Sequence, residues 1–276
     1  MKKLSVGIIG NGYVGEALAF AFSSVAKTYV HDIDPLRSYN TLDQVHNCDF
    51  VFVCVPTPMH SDGTQDISFV ESVFKKASDK PIYIIKSTVL PGTTERLNNY
   101  YNKLKIIFSP EFLTERTAKL DMLTQSRIIL GGLKELTAEA KKLFLLRFKN
   151  KHLISTDSTT AELIKYMNNT FFATKVSIMN EYKLLSDKIG ANWEDALNGF
   201  ASDGRVGDSH LNVPGHDGKL GYGGTCFPKD VSALIEFAKK NKISLNTIIG
   251  GWNTNLNVRP EKDWEKNIGR SVNYKL

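Results

Sequence analysis

The sequence lacks the features that mark disulfide-rich, metal-binding and membrane-spanning proteins. Its 276 residues include three cysteines, which have neither a paired spacing nor histidines clustered beside them. We therefore expect no disulfide framework and no metal site. No apolar run approaches the roughly 20 residues of a transmembrane helix, and the first strand begins too early for a secretory leader. These absences predict a cytoplasmic protein without a membrane partner.

A dense basic tract is also missing, although the net charge is +6. The basic residues are spread over predicted helices, as in Lys75-Lys76, Lys141-Lys142 and Lys239-Lys240. This distribution favours a small phosphate-bearing ligand over nucleic acid. A hydrophobic content of 42% with 23% charged residues is ordinary for a globular chain of one large or two smaller domains.

What the chain does contain is a glycine-rich turn between a predicted strand, residues 4–9, and a small apolar helix, residues 16–24. The turn reads Gly10-Asn11-Gly12-Tyr13-Val14-Gly15, and the next strand ends at Asp32. This spacing is typical of a dinucleotide fingerprint. The glycines would then make the turn, admit the pyrophosphate and let helix pack on strand, while Asp32 binds the adenosine ribose. Because a carboxylate repels a 2′-phosphate, the pattern predicts NAD rather than NADP.

Strands and helices alternate up to residue 155. Further strands are predicted at 49–55, 82–86, 105–108, 127–131 and 152–155. The pattern predicts an α/β fold with a Rossmann-type doubly wound parallel sheet, an NAD-binding domain over 1–155. Residues 156–276 are predicted to form a mostly helical domain. Its long central helix, 158–188, has neither proline nor glycine and spans roughly 45 Å, which suits a spine or a dimer face.

Polar residues follow three of the predicted strands. Thr57, Thr88 and Glu111 each lie just beyond a strand's carboxyl end, where open α/β sheets bind ligands. We expect them near the nicotinamide end of the cofactor. The threonines could instead be ordinary turn hydroxyls, and Glu111 could simply begin a helix, where acids are favoured. Cys54 is predicted to pack in the core.

The second half contains Gly221-Tyr222-Gly223-Gly224-Thr225-Cys226-Phe227-Pro228-Lys229-Asp230, followed by a helix-like period. Cys226 would lie just outside a helix N-terminus near Lys229, an environment that activates a thiol. Asp230 could orient a water or a proton. A small buried cysteine in a turn is the alternative, but the glycines, which let backbone approach a ligand closely, favour an active-site loop.

Two other polar groups are candidates. Lys165 and Asn169 are four residues apart on the long helix and so share one face, which could also be plain solvent surface. Arg205 lies in a long irregular segment and is a suitable phosphate ligand, because its fork of donors matches anionic oxygens.

Together these motifs resemble the UDP-glucose/GDP-mannose dehydrogenase family. The resemblance rests on residues 10–15, Val53-Cys54-Val55-Pro56-Thr57-Pro58, Ser87-Thr88-Val89, Pro110-Glu111-Phe112-Leu113, Lys165-x-x-x-Asn169 and residues 223–230, in matching order and approximate spacing. It implies a four-electron oxidation of a nucleotide sugar's primary alcohol, most simply UDP-glucose to UDP-glucuronate, with two NAD per turnover.

The resemblance also implies roles for individual residues. Cys226 would be the nucleophile that forms a thiohemiacetal and then a thioester, with Lys165 and Asn169 stabilising the oxyanion. Glu111 and Asp230, with Thr88 holding a water, would transfer protons and hydrolyse the thioester, and Arg205 would reach the nucleotide sugar across a homodimer interface. The implied cofactor-binding residues are Gly10, Gly12, Tyr13, Val14, Gly15, Asp32, Thr57, Thr88 and Lys229. The implied substrate-binding residues are Glu111, Phe112, Leu113, Glu115, Lys165, Asn169, Arg205 and Gly223.

Two departures from the family pattern shape the expectations. Family members usually carry a C-terminal domain that grips the nucleotide, whereas this sequence stops at Leu276; Arg116-Thr117 also stands where a glycine is typical. We expect a short-form enzyme or a subunit that needs a separate nucleotide-binding chain. The alternatives are a two-electron hydroxy-acid dehydrogenase and a catalytically silent NAD-binding or partner-binding module.

Overall fold

The computed structural model describes residues 4–274. The chain divides into two compact units. The first comprises the residues up to Thr57 together with Asp66–Lys165, and the second comprises Pro58–Gln65 and the residues from Tyr166 onward. The domain boundary proposed at residue 155 falls inside a strand of the first unit and stays a prediction.

A seven-stranded sheet forms the centre of the first unit. Its strands are β1 (Ser5–Ile9), β2 (Lys27–His31), β3 (Phe50–Val53), β4 (Ile82–Ile85), β5 (Lys105–Phe108), β6 (Arg127–Gly131) and β7 (His152–Thr156). Their order across the sheet is β2-β1-β3-β4-β5-β6-β7. The strand pairs are parallel, except that β5 and β6 are antiparallel and meet through the single pair Phe108 and Gly131. The Rossmann-type fold is confirmed, with one antiparallel junction that the sequence did not indicate.

Helices cover both faces of this sheet. They are α1 (Tyr13–Phe22), α2 (Leu42–His46), α3 (Ser68–Phe74), α4 (Thr93–Tyr100), α5 (Ala118–Thr124) and α6 (Lys134–Arg147). Successive strand residues point to opposite faces, so Ile84 packs in one apolar cluster and Ile85 in the other. Burial on both faces explains why the central strands β3 and β4 read as continuous apolar runs.

The strand order places a crevice beside β1. β2 lies on one side of β1 and β3 on the other, so the direction of winding reverses at the carboxyl end of β1. Ligands of open α/β sheets bind at such a switch point. The segments that follow β1, β3, β4 and β5 reach this same edge, and they carry Gly10, Thr57, Thr88 and Glu111.

The second unit is helical, as predicted. Helix α7 (Ser158–Ile189) begins in the first unit, and α8 (Trp193–Ala201), α9 (Phe227–Lys240) and α10 (Asn246–Val258) follow. Residues 202–226, all within the described part of the chain, form neither helix nor strand. Between residues 4 and 274, no helix combines the length and apolar composition needed to cross a bilayer.

Candidate active site

Two glycines of the first turn are required by close packing. Gly10 has φ +92°, and a Cβ there would lie 2.7 Å from the Cys54 carbonyl oxygen. A Cβ on Gly15 would lie 2.0 Å from the Gly10 carbonyl oxygen. A side chain at Gly10 would push the turn away from the backbone that follows β3, and one at Gly15 would push α1 away from the turn, as expected for the turn and packing glycines of a dinucleotide fingerprint.

The middle glycine faces open space. A Cβ on Gly12 would meet nothing within 4 Å, and Gly12 is the N-cap of α1 without a side-chain cap. Tyr13 and Val14, half-buried, form the first turn of the helix. The amide groups at this helix start, with room in front of them, fit a pyrophosphate.

Asp32 is held beside the same turn. Its Oδ2 accepts a hydrogen bond from the Asn11 amide at 2.5 Å, and its Oδ1 accepts one from the Asp34 amide at 2.9 Å. The carboxylate is thus fixed where a fingerprint acid meets the adenosine ribose. With Gly12 and the start of α1, Asp32 gives this unit a donor and acceptor set that fits NAD.

Glu111 and Lys165 form a buried ion pair. Lys165 Nζ lies 3.0 Å from Glu111 Oε1 and donates to the Glu111 carbonyl oxygen at 2.6 Å. The Leu113 amide donates to Glu111 Oε2 at 2.7 Å. Burial acts to raise the pKa of Glu111, but Lys165, the Leu113 amide and more weakly Lys86 hold it below its usual value. Glu111 is therefore a carboxylate at neutral pH.

A second buried ammonium, which sequence reasoning missed, lies in the same cluster. Lys86 directly follows β4, is 5% exposed, and donates through Nζ to the Pro110 carbonyl oxygen at 2.9 Å and to Ser109 Oγ at 3.3 Å. Burial lowers the pKa of Lys86 to about 8, although the Glu111 carboxylate opposes the shift. Its place at the end of the apolar run of β4 was an available signal.

Glu162 was also missed. Its side chain, 0% exposed on α7, accepts from the Gly92 amide at 2.7 Å, the Thr94 amide at 2.8 Å and Thr94 Oγ1 at 2.5 Å. Burial raises the pKa of Glu162 to about 7 against these hydrogen bonds. Gly92 gives α4 no side-chain cap of its own, so Glu162 caps that helix. The segment 86–92, which carries Thr88, is therefore held at both ends.

The other predicted residues of the first unit occupy varied environments. Thr57 and Thr88 are buried, unlike ordinary exposed turn hydroxyls. The Phe112 ring lies 4.4 Å from Arg127 Cζ and 5.5 Å from Lys165 Nζ. Glu115 is exposed and begins a short 3₁₀ turn. Their roles stay predictions.

In the second unit, Cys226 is the N-cap residue of α9, and Pro228 lies in the first turn. This local prediction is confirmed. Cys226 is half-buried, and its Sγ lies 3.8 Å from Thr225 Oγ1. Burial raises the pKa of Cys48 to about 11 and that of Cys54 to about 12, which makes both thiols poor nucleophiles. Cys226 differs from them by its place at the positive end of a helix dipole.

Asp230 is the centre of a buried polar cluster one turn into α9. It is 1% exposed, and its Oδ2 accepts from Asn169 Nδ2 at 2.6 Å. Its Oδ1 accepts from Lys229 Nζ at 2.5 Å, so the ammonium that we predicted beside the thiol is bound to Asp230. The cluster orients the Asn169 amide, which carries a second N–H.

Two glycines before the cysteine face protein. A Cβ on Gly221 would lie 2.4 Å from Asn255 Oδ1, and one on Gly223 would lie 2.6 Å from Asp263 Oδ1 and 2.7 Å from Arg259 Nη2. Gly221, which also has φ +67°, is therefore required to be glycine, whereas Gly223 faces the ends of two side chains that can shift. Gly224, with φ +74°, has nothing within 4 Å of a Cβ and is the one of the three that fits close approach by a ligand. The substrate role of Gly223 stays a prediction.

Arg205 is bound by a neighbour. Its Nη2 lies 2.5 Å from Asp203 Oδ2 and its Nε lies 3.0 Å from Asp203 Oδ1. The Arg205 side chain is nevertheless 90% exposed. A phosphate at this guanidinium would compete with Asp203.

Comparisons with known proteins agree with the motifs. The model of the UDP-glucose/GDP-mannose dehydrogenase family's NAD binding domain matches residues 35–147, and that of its central domain matches residues 159–256. The UDP-glucose 6-dehydrogenase of Rickettsia bellii is 36% identical over 211 residues, covering 73% of this chain and 48% of the relative. That of Campylobacter jejuni is 31% identical over 269 residues, covering 84% of this chain and 67% of the relative. The chain thus spans about half the length of the Rickettsia relative.

Solved structures include two informative neighbours. A UDP-glucose dehydrogenase from Pyrobaculum islandicum has a TM-score of 0.82 at 25% identity, covering 92% of this chain and 68% of that one. A 3-hydroxyisobutyrate dehydrogenase from Mycobacterium tuberculosis has a TM-score of 0.75 at 14% identity over 95% of each chain, which shows a shared fold alone.

The order of the motifs, the two domain models and the identity to the Campylobacter relative agree with one another. The turn at Gly10–Gly15 and the carboxylate of Asp32 have the geometry of a dinucleotide fingerprint. This chain therefore belongs to the UDP-glucose/GDP-mannose dehydrogenase family.

Proposed function

We propose that this chain oxidises the primary alcohol of a nucleotide sugar, with UDP-glucose as the first candidate, to a carboxylate. The observation that carries the proposal is Cys226 at the N-terminus of α9, in one unit with the buried Asp230–Asn169 pair. Membership of the family supports it. Because the chain spans only part of the length of its relatives, their activity is a proposal for this chain.

The first unit would hold the cofactor. The amides at the start of α1, in front of which Gly12 leaves room, would bind the pyrophosphate, and Asp32 would bind the ribose. NAD bound there supplies hydride acceptance, and a four-electron oxidation needs two such equivalents per sugar.

The thiol would perform the covalent step. Sγ of Cys226 attacks the aldehyde carbon, a C–S bond forms, and the carbonyl oxygen becomes an oxyanion. We assign the second N–H of Asn169 and the ammonium of Lys165 to that oxyanion. Loss of a hydride from the thiohemiacetal carbon to the second NAD equivalent would re-form the C=O bond and leave a thioester. Water then attacks the acyl carbon, the C–S bond breaks, and sulfur regains a proton as the carboxylate leaves.

Proton transfer falls to the carboxylates. Glu111 is ionised beside Lys165 and so is suited to accept a proton from the attacking water, which we propose that Thr88 holds. Asp230 would take part in proton transfer together with Asn169 and Lys229, from which its two carboxylate oxygens accept hydrogen bonds.

The nucleotide sugar would be held by exposed and half-buried groups. We propose that Arg205 exchanges its Asp203 partner for a phosphate, with Phe112, Leu113, Glu115 and Gly223 contributing to the sugar site. A short-form enzyme could work in this way alone. A separate nucleotide-binding subunit is the alternative, and its addition would lower the KM for the sugar.

We also propose a homodimer, because α7 exposes an apolar stripe at helical spacing. Between 40% and 68% of each of these side chains is exposed: Met167, Phe171, Ile178, Tyr182, Leu185 and Ile189. A shallow apolar groove continues from this stripe to Trp193, Leu197 and Phe200 of α8. Exposed apolar area of this kind marks association surfaces.

The test is the stoichiometry of NADH release. Purified protein with NAD and limiting UDP-glucose should release two NADH per sugar, and Cys226→Ala should produce no acid because the thioester cannot form. Cys54→Ala is the matched control: its thiol has a pKa of about 12, and its loss should leave two NADH per sugar.

Other results would overturn the proposal in separable ways. NAD binding without NADH release from a panel of UDP- and GDP-sugars would refute the substrate class. One NADH per substrate, retained in Cys226→Ala, would indicate a two-electron hydroxy-acid dehydrogenase. Tight NAD binding with a Cys226 no more reactive to alkylation than free cysteine would indicate a silent module.

A further inference from the structure

The segment that precedes Cys226 is held by a buried amide of α10. Asn255 is 0% exposed; its Oδ1 accepts from the Tyr222 amide at 2.7 Å, and its Nδ2 donates to the Tyr222 carbonyl oxygen at 3.0 Å. One side chain thus satisfies both backbone groups of Tyr222, as a neighbouring strand would do in a sheet. Both bonds are needed, because buried backbone groups left unpaired are costly.

Two further buried side chains hold the adjacent residues. The Gly221 amide donates to Asn180 Oδ1 at 2.9 Å, and Arg259 Nη1 donates to the Leu220 carbonyl oxygen at 3.3 Å. Three consecutive residues of an irregular segment are therefore fixed by side chains of α7 and α10 and by the residue that follows α10. Within this set, Asn255 is the group that makes two bonds to a single residue.

Tyr222 also reaches the far side of the cysteine. Its ring contacts the ring of Phe227, the first residue of α9, with centroids 5.9 Å apart and planes at 82°. On its other side it packs against Trp252 of α10, with centroids 6.2 Å apart. A shift of Tyr222 would therefore reach Cys226 along the backbone from one side and through Phe227 from the other.

We propose that Asn255 is a positioning residue that keeps the Cys226 thiol at the N-terminus of α9 by fixing Tyr222. The proposal rests on the function proposed above, in which Cys226 is the nucleophile. It also explains Gly221: the oxygen that binds Tyr222 occupies the place where a Cβ of residue 221 would lie.

Asn255→Asp separates positioning from general packing, because Asp has the shape of Asn. An ionised Asp can accept from the Tyr222 amide, but its second oxygen faces the Tyr222 carbonyl oxygen at the 3.0 Å now spanned by a hydrogen bond. A protonated Asp donates to that carbonyl and restores both bonds. Acidification should therefore rescue this variant.

The experiment measures the rate of iodoacetamide alkylation of Cys226 in the full chain, followed by mass spectrometry of its peptide. Rates are expressed relative to wild type at each pH, which removes the pH dependence that the two proteins share. The control is Asn253→Asp, an exposed asparagine of the same helix. We expect Asn255→Asp to react about fivefold more slowly than wild type near pH 8, the size of a helix-terminus interaction, and to approach wild type near pH 5.5. The control should match wild type throughout.

A folded Asn255→Asp with the wild-type rate near pH 8, or with a deficit that does not change with pH, would overturn the proposal. If circular dichroism shows that this variant is unfolded near pH 8, Asn255→Ser, which leaves room for a water, replaces it; an unaltered rate would then be the refuting result. Because the alkylation measurement needs neither NAD nor sugar, it can refute the positioning role of Asn255 whether or not the proposed function is correct. In an active enzyme, the Asp variant should lower kcat while leaving the KM for NAD unchanged.

Discussion

Because Lys86 is buried, we expect the free energy of unfolding of the first unit to rise with pH in the alkaline range. Burial lowers its pKa from 10.5 to about 8, so the folded chain releases this proton before the unfolded chain does. Between those values the unfolded state binds more protons, and the free energy of unfolding rises with pH. Most proteins lose stability in this range, which makes the effect distinctive.

The size of the effect follows from the two pKa values. A shift from 10.5 to about 8 corresponds to about 3 kcal/mol at roughly 1.4 kcal/mol per pH unit. About 2 kcal/mol of this should be gained between about pH 7.5 and about pH 10, since the unfolded lysine is still mostly protonated at the upper limit. Cys54 stays neutral over this window because burial raises its pKa to about 12.

The assay compares wild type with Lys86→Met by urea unfolding followed by circular dichroism. The free energy of unfolding of wild type minus that of the variant should rise by about 2 kcal/mol between about pH 7.5 and about pH 10. Any constant loss from the missing bonds to Pro110 and Ser109 cancels in this difference. Lys75→Met, which removes an exposed lysine of the same unit, should give a flat difference. If the difference in the free energy of unfolding between wild type and Lys86→Met does not change with pH, burial does not lower the pKa of Lys86 and the prediction is refuted.

Two further predictions concern the turn and the dimer. Gly12→Ala should leave the melting temperature unchanged but weaken NAD binding by about tenfold or more. Gly15→Ala should also lower the free energy of unfolding by ~1–3 kcal/mol, because its Cβ would overlap a carbonyl oxygen. Calorimetry and NAD titration check both variants, and equal losses of stability in the two variants would contradict the assignment. Leu185→Glu should convert the proposed homodimer to monomer in sedimentation velocity with unchanged helix content, and a wild type that sediments as a monomer would refute the proposed association through this stripe.

Local patterns predicted the elements well. Helix 158–188 was predicted from a run without glycine or proline and is observed as Ser158–Ile189. The strand 127–131 was predicted with the observed bounds, because the apolar run 128–130 lies between Arg127 and a pair of glycines. The antiparallel meeting of β5 and β6 was not predicted, since it depends on one residue pair and has no periodicity of its own.

The candidate site was predictable where topology or a motif pointed to it. Glu111 and Lys165 were chosen for separate reasons, and the structure pairs them across 54 residues of sequence. Glu162 and Asn255 were missed because their partners lie 68 and 33 residues away, so nothing nearby distinguishes them from surface residues. The glycines before Cys226 were read as making room for a ligand, but Gly221 and Gly223 make room for side chains.

The start of α7 has a consequence for dividing the protein into fragments. A fragment ending at residue 155 would contain the glycine turn and almost the whole sheet, but it would lack Glu162 and Lys165. Glu111 would then be a buried carboxylate without its principal counter-ion, which costs roughly 3–5 kcal/mol, and the N-terminus of α4 would lose its cap. An isolated NAD-binding unit must therefore be cut after Lys165, about two turns into the helix, to keep its charges balanced.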